Sequence, residues 1–395
     1  MHEAEKKLNR VVLKPKREKP LLNSHMWIFS GAVASLPEFN DGSILPVYSS
    51  DEKLLGSAYF NKRSSIIGRM VAFGDVDPIV AIKANLAHAV KCRSQLFAKE
   101  HCNGYRLING EGDSLPGLVV DRYDDVLVMQ IGTLGMEKLK PLLIEWFVEH
   151  LTPLAIYEKS NLPTRKEEGL PPSATLLYGA DVSVVDIIES GLKFSVDIPK
   201  GQKTGFFFDQ REMRKIVQAK AHGKRVLNCF SYTGGFSIYA LAGGASHVDS
   251  VDISESAIAL AEQNAAINGF GSSQCSFYSA DVFEFLRDRK LNYDLVILDP
   301  PAFAKKQKDV VAACRGYKEI NRLAMKNMPK GSLLLTCSCS FHVDSDLFQK
   351  VVFQAAVEAG RTVRIIGHHT LACDHPINIC HPEGEYLKSL LLYLQ

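Results

Sequence analysis

The 395-residue chain is long enough for two or three domains, each with its own core. Its composition, 46% hydrophobic and 23% charged, excludes a disordered chain, and no apolar run approaches the roughly 18 residues of a membrane span. A net charge of +2 is too mild to imply nucleic acid by itself, so such an argument must rest on where the charge sits. Nine cysteines, an odd number, and the lack of an early apolar run after Met1 predict reduced thiols in the cytoplasm.

The charge is uneven at the start, where Lys6, Lys7, Arg10, Lys14, Lys16, Arg17 and Lys19 outnumber Glu3, Glu5 and Glu18. This arm is either solvated or a phosphate contact. Residues 1–74 read as short strands at Arg10–Leu13, Trp27–Phe29, Ile44–Tyr48, Leu54–Phe60 and Ile66–Met70, broken by Pro20, Asn40-Asp41-Gly42 and Asp51. That spacing predicts a small β-barrel. The order His25-Met26-Trp27-Ile28-Phe29-Ser30-Gly31, Gly56-Ser57-Ala58-Tyr59-Phe60-Asn61 and Ser65-Ile66-Ile67-Gly68-Arg69 resembles the PUA domain of RNA-modifying enzymes. The resemblance implies that Lys14, Lys16 and Arg17 touch an RNA backbone. Trp27 alone reads as a core aromatic.

Residues 75–188 predict a central α+β domain, with helices over Ala81–Leu96 and Met136–His150 and a strand over Val126–Ile131. Arg165–Leu170 reads as an exposed, solvated loop. Next comes Lys203-Thr204-Gly205-Phe206-Phe207-Phe208-Asp209-Gln210-Arg211, in which Asp209 is placed to cap a helix with Glu212 three residues on.

Lys224 to Ser237, KRVLNCFSYTGGFS, reads as a buried strand, a turn centred on Gly234-Gly235 and a helix. Glycines there let a ligand approach the backbone, and a helix N-terminus offers unpaired N–H groups. Asp252 ends the next apolar run, about 20 residues on, where a Rossmann-like sheet grips a ribose. Asp281 follows a third strand, and Asp299-Pro300-Pro301-Ala302-Phe303 a fourth. No G-x-G-x-x-G or G-x-x-x-x-G-K-[ST] is present. This order resembles the class I S-adenosylmethionine (SAM) methyltransferases, and implies a Rossmann-like α/β domain over residues 189–395 with SAM as cofactor. Asn228, Ser231, Gly234, Asp252, Asp281 and Asp299 would line its cleft, with the aromatic Lys203–Arg211 segment beside them.

Leu333-Leu334-Leu335-Thr336-Cys337-Ser338-Cys339-Ser340 is an apolar strand that ends in two cysteines. Cytosine C5 is a weak nucleophile, and a thiolate adding to C6 turns it into an enamine carbon able to take a methyl group. Thr-Cys-Ser after Asp-Pro-Pro resembles the nucleophile motif of RNA cytosine-5 methyltransferases, and the match falls on Cys337. Asp299 would orient the base edge and Phe303 stack on a flipped base. Many such enzymes carry Pro-Cys in the preceding motif to help release the product. Here Pro301 stands in that place, and the role is vacant or falls to Cys339. Read as packing, the two cysteines are small buried strand residues.

With Asp374-His375-Pro376 at the end, the motif order resembles the bacterial large-subunit (23S) ribosomal RNA cytosine-5 methyltransferases along almost the whole chain. The resemblance implies ribosomal RNA as partner and a homodimer. His375 reads as a proton acceptor, a phosphate ligand or a hydrogen-bonded loop residue. Cys373, His375, Cys380 and His381 are close in sequence but fit no zinc spacing, so no metal is expected. Two other readings stay open: an amino-group methyltransferase acting on guanine N2 or adenine N6 through Asp-Pro-Pro-Ala-Phe, and an RNA-binding ribosome assembly factor without catalysis.

Overall fold

The computed structural model describes residues 9–287 and 290–395; Lys6 and Lys7 of the basic arm lie outside them. Among the described residues, no helix is long and apolar enough to cross a membrane. The chain forms two compact units. The first holds the described residues up to Ile187 with Val196–Phe206 and Asp374–Gly384; the second holds Ile188–Ser195, Phe207–Cys373 and Glu385–Gln395.

In the first unit the five predicted short strands and one that was not predicted, Val33–Ser35, form a six-stranded sheet in the order Trp27–Phe29, Ile66–Phe73, Leu54–Phe60, Ile44–Tyr48, Val11–Leu13, Val33–Ser35. Alternation sets the faces: Leu45 and Val47 are buried, while Ile44, Pro46 and Tyr48 between them are only half-buried. A second sheet of five strands, from Ser173–Gly179 through Ala155–Ser160, Val126–Ile131 and Leu118–Tyr123 to Gly104–Asn109, packs with helices Pro78–Leu96 and Leu134–Leu151. Asp77 starts the first of these helices by accepting from the Ile79 and Val80 amides, with Pro78 in the position that needs no donor. Tyr59 and Val71 of the first sheet share a core with Leu86, Leu143 and Trp146. The barrel and the α+β layer, expected as separate domains, are therefore one compact unit.

The Arg165–Leu170 segment departs from its reading as a solvated loop. Residues Pro163–Glu167 are a short helix that buries Arg165 against the Ile131 carbonyl and Glu137. Glu168, 2% exposed, accepts from Arg69 at 2.7 Å and from Asn61 at 2.7 Å. Charges are buried here because each has a partner, a pairing across distant residues that a local reading of Arg-Lys-Glu-Glu cannot anticipate.

The second unit is built on seven strands: β1 (Arg225–Cys229), β2 (His247–Asp252), β3 (Cys275–Ser279), β4 (Leu295–Leu298), β5 (Leu333–Ser338), β6 (Val363–His369) and β7 (Lys388–Leu394). Their order is β3-β2-β1-β4-β5-β7-β6, with β1 to β5 parallel and β7 antiparallel to both β5 and β6. Around it lie α1 (Arg211–Lys220), α2 (Gly235–Ala242), α3 (Glu255–Ile267), α4 (Val282–Arg287), α5 (Val310–Asn327) and α6 (Ser345–Glu358). Strands β1, β4 and β5 are buried almost throughout, as strands covered on both faces must be. The order in which strands are added to the sheet switches sides between β1 and β4, so the carboxyl ends of the parallel strands open a crevice there.

Glu168→Ala would leave the Arg69 guanidinium buried without its carboxylate. A loss of about 3–5 kcal/mol in chemical denaturation is expected, against less than about 0.5 for the exposed Glu167→Ala.

Candidate active site

The turn after β1 is the most constrained backbone at the carboxyl edge. Phe230, Tyr232 and Gly234 all have left-handed φ, at +58°, +46° and +83°. For two side-chain-bearing residues this conformation costs on the order of 1 kcal/mol or more each, so the surroundings must enforce it. The Ser231 amide donates to the Val251 carbonyl at 3.0 Å, the Tyr232 amide to Asp252 Oδ2 at 2.9 Å, and Asn264 Nδ2 of α3 to the Thr233 carbonyl at 3.0 Å. Asp252 Oδ1 meanwhile accepts the Ser254 amide at 2.9 Å. The carboxylate at the tip of β2 thus also fixes the glycine turn.

Gly234 has a second reason to be glycine. A Cβ there would lie 3.1 Å from Cβ of Ala261 in α3, so the crowding comes from helix packing as well as from any ligand. Asn228 is wholly buried and donates to Ser237 Oγ at 2.9 Å, which in turn bonds Ser250 Oγ at 2.7 Å. This chain ties β1, α2 and β2 together. Asn228 Oδ1 and Ser231 Oγ are buried without a hydrogen-bond partner among the described residues. Asp281 Oδ1 accepts the Glu284 amide at 3.0 Å across the first turn of α4. Phe207 of the aromatic segment meets the Tyr232 ring edge-on at 5.2 Å.

Asp299, at the end of β4, accepts from Gln210 Nε2 at 2.8 Å. Gln210, not Asp209, occupies the N-cap position of α1, and Asp209 Oδ2 accepts the Tyr386 hydroxyl at 2.7 Å. The expected capping box is absent because Asp209 is drawn to a partner from the far end of the chain. Gln210 and Tyr386 were missed by sequence reasoning. The run of three phenylalanines before Asp209-Gln210 was the only local signal that this segment is drawn inward.

The two cysteines occupy different environments. Cys337 is inside β5, fully buried and paired with Ser389 of β7. Burial pushes its thiol far up, and the Asp299 charge pushes it further; hydrogen bonds from Gln210 and Ser389 pull the other way. Cys339 lies one residue beyond the end of β5, is only partly covered, and donates to the Pro300 carbonyl at 3.8 Å. Ser340 locks the two loops together, accepting the Ala304 amide at 3.1 Å and sharing a 2.9 Å hydrogen bond with the Tyr317 hydroxyl. Lys388, also missed, donates to the carbonyls of Ser340 at 2.6 Å and Tyr386 at 2.8 Å, and its burial pushes it down to about 8. Phe303 packs its ring 4.7 Å from Tyr317, so it is engaged in the core contact with α5. Immediately after it, Lys305, Lys306 and Lys308 are exposed, a basic loop the sequence reading passed over.

In the first unit, Lys14, Lys16 and Arg17 are exposed, with Lys14 Nζ also donating to the Gly31 carbonyl. Asp374-His375-Pro376 is built into that unit: Asp374 accepts the Arg106 amide at 3.0 Å and pairs with His375 Nδ1 at 2.8 Å, and the Arg93 guanidinium donates to its carbonyl. His381 gathers with His25 and Glu383 rather than with the neighbouring cysteines. His25 Nδ1 accepts the Trp27 amide, so in the neutral ring the proton sits on Nε2, facing Glu383 Oε1 at 3.1 Å. His381 Nδ1 lies 3.6 Å from Glu383 Oε2, both atoms buried without a hydrogen-bond partner among the described residues, and Trp27 packs against the His381 ring at 4.5 Å.

Comparison with known proteins accords with this geometry. Residues 164–363 match the S-adenosylmethionine-dependent methyltransferase family and residues 11–73 a PUA-like domain. A Shewanella denitrificans protein named ribosomal RNA large subunit methyltransferase I is 42% identical over 390 residues, covering 97% of this chain and 98% of its own. An Aliivibrio fischeri protein of the same name is 43% identical over 382 residues, covering 94% and 96%. The chain belongs to this SAM-dependent methyltransferase family. Its fold is shared with a methyltransferase solved in complex with SAH, at a TM-score of 0.84 and 24% identity, over 97% of this chain and 99% of that one.

The methyltransferase's own residues suit the cofactor. The orphaned Ser231 Oγ and Asn228 Oδ1 lie where the fold places a polar ligand, and the left-handed turn and the carboxylates of Asp252, Asp281 and Asp299 surround the same strand ends. When bound, SAM supplies an electrophilic methyl group on a sulfonium.

Asp252→Ala removes two charge-assisted bonds to backbone amides, worth about 1.5–3 kcal/mol each, and should release the strained turn. SAM binding measured by calorimetry is expected to weaken at least tenfold, roughly 1.4 kcal/mol or more; unchanged affinity would show that the turn keeps its shape without the carboxylate.

Proposed function

We propose that this methyltransferase transfers the methyl group to C5 of a cytosine in large-subunit ribosomal RNA, with Cys339 as the attacking thiol. The observation that carries the reading is a partly exposed cysteine just past the carboxyl end of β5, against the carbonyl of Pro300, the residue that follows Asp299. The names of the relatives supply the RNA class, and the PUA-like domain gives the RNA a further place to bind.

Addition of the Cys339 thiolate to C6 would draw the ring electrons onto C5 and make that carbon nucleophilic. After methylation a base removes the C5 proton, the C5–C6 double bond returns and the thiolate leaves. Asp299, oriented by Gln210, would hold the base edge. Cys337 is less suited to the attack than the sequence motif suggests. Its sulfur has no exposure, and thiolate formation beside a carboxylate is opposed by both burial and charge. It serves this reading better as a packing residue under the site.

The test is methyl transfer from labelled SAM to large-subunit RNA from cells lacking the protein, followed by nucleoside analysis. Wild type should yield 5-methylcytidine, Cys339→Ala none, and Cys337→Ala product at a rate within roughly tenfold of wild type. A methylated purine that survives Cys339→Ala would favour the amino-group reading, whereas loss of product only in Cys337→Ala would return the nucleophile to that residue. For RNA contact, the triple change Lys305→Glu, Lys306→Glu, Lys308→Glu should reduce the slope of log affinity against log salt by about 2–3, and an unchanged slope would remove this loop from the interface.

A further inference from the structure

Attack by a thiolate does not by itself choose cytosine. Uracil has the same C5–C6 double bond conjugated to C4, and a thiolate adds to its C6 by the same step. The two bases differ at the 4-position, which carries an amino group with two N–H donors in cytosine and a carbonyl acceptor in uracil. That position lies two ring bonds from the carbon attacked. The group that selects the base must therefore stand near the thiol and accept a hydrogen bond.

Gln210 fits that description. Cys339 rests against the carbonyl of Pro300, so the thiol and the preceding Asp299 share the carboxyl edge of the neighbouring strands β4 and β5. Gln210 is 4% exposed, and its Nε2 donates to Asp299 Oδ1 at 2.8 Å. This bond settles how the amide faces. A carboxylate oxygen only accepts, so the NH2 end is turned toward Asp299 and the carbonyl oxygen is left over. Gln210 Oε1 is buried and, among the described residues, has no hydrogen-bond partner. Orienting Asp299 requires a donor alone; the amide brings an acceptor as well, whose desolvation is uncompensated until something donates to it.

We infer that Gln210 makes the enzyme specific for cytosine, with Oε1 accepting a hydrogen bond from the 4-amino group of the target base. Against uracil the same oxygen meets the 4-oxygen, acceptor against acceptor, and the base is rejected. The inference rests on the reading of the protein as a cytosine-5 methyltransferase and extends it to the choice of base.

The experiment compares kcat/KM on two large-subunit transcripts, with cytidine or uridine at the nucleotide found to be methylated, for wild type, Gln210→Met and Gln210→Glu in the full chain. Wild type is expected to prefer cytidine by about 10,000-fold, as sites built to hydrogen-bond a substrate group do. Gln210→Met keeps the length but neither polar atom, and should cut the preference by more than about tenfold. Gln210→Glu keeps an acceptor oxygen while losing the amide's donor to Asp299; it should slow both substrates yet hold the preference within about tenfold of wild type. A merely structural defect lowers both substrates alike, so a preference unmoved in Gln210→Met overturns the proposal. Loss of preference in both variants also overturns it, because Gln210 would then act only by orienting Asp299. So does a wild type that methylates uridine within about tenfold of cytidine, without reference to any variant. Should Gln210→Met fail to bind SAH, the wild-type preference and Gln210→Glu decide. A methylated purine made by wild type would defeat the functional reading itself, whereas 5-methylcytidine with an unmoved preference defeats only the role of Gln210.

Discussion

The carboxylate of Asp252 at the tip of β2 is the constraint on which the crevice depends. It accepts one amide from the turn after β1 and one from the turn leading to α3, which holds two side-chain-bearing residues in a left-handed conformation they would otherwise leave. A turn held this way is ordered before any ligand arrives, so binding would not have to supply its ordering entropy. The Asn264 amide on the Thr233 carbonyl and the Ala261 methyl against Gly234 make α3 a second wall behind the same turn. Sheet order then does the rest: the switch of sides between β1 and β4 places Asp299 across the crevice from that turn.

The Thr-Cys-Ser-Cys-Ser run shows how one residue of register separates two kinds of cysteine. Side chains alternate along a strand, so Cys337 and Cys339 point to the same side, but β5 ends at Ser338. Cys337 is therefore surrounded by neighbouring strands and by Gln210, in a setting that favours the neutral thiol. Cys339 has passed the edge and sits over the Asp-Pro-Pro loop, pinned through Ser340 to Ala304 and Tyr317. A motif match cannot distinguish them because it counts residues and does not see where the strand stops.

Much of the fold was legible from local pattern. The β strands Ile44–Tyr48, Leu54–Phe60, Val126–Ile131 and His247–Asp252 fall where alternation and apolar runs place them, and the motif order pointed to a SAM-binding sheet behind a PUA-like domain. What stayed hidden depends on contacts between distant residues. Arg165 and Glu168 look like solvated charges until Glu137 and Arg69 arrive to pair with them. The roles of Gln210, Tyr386 and Lys388 were not legible locally, because each depends on a residue tens to well over a hundred positions away.

The last strand explains why those distant residues converge. β7 runs antiparallel between β5 and β6, so its first residues, Lys388 and Ser389, lie beside the last residues of β5, at the carboxyl edge where the parallel strands deliver their polar groups. A parallel β7 would have brought its final residues there instead, and the C-terminus with them. By reversing direction the chain inserts the Tyr386-Leu387-Lys388-Ser389 run next to Cys337 and Cys339, and Tyr386 reaches Asp209 while Lys388 reaches Ser340. The antiparallel strand is thus what allows the final ten or so residues of a 395-residue chain to furnish the surroundings of a site whose other members come from β1, β2 and β4.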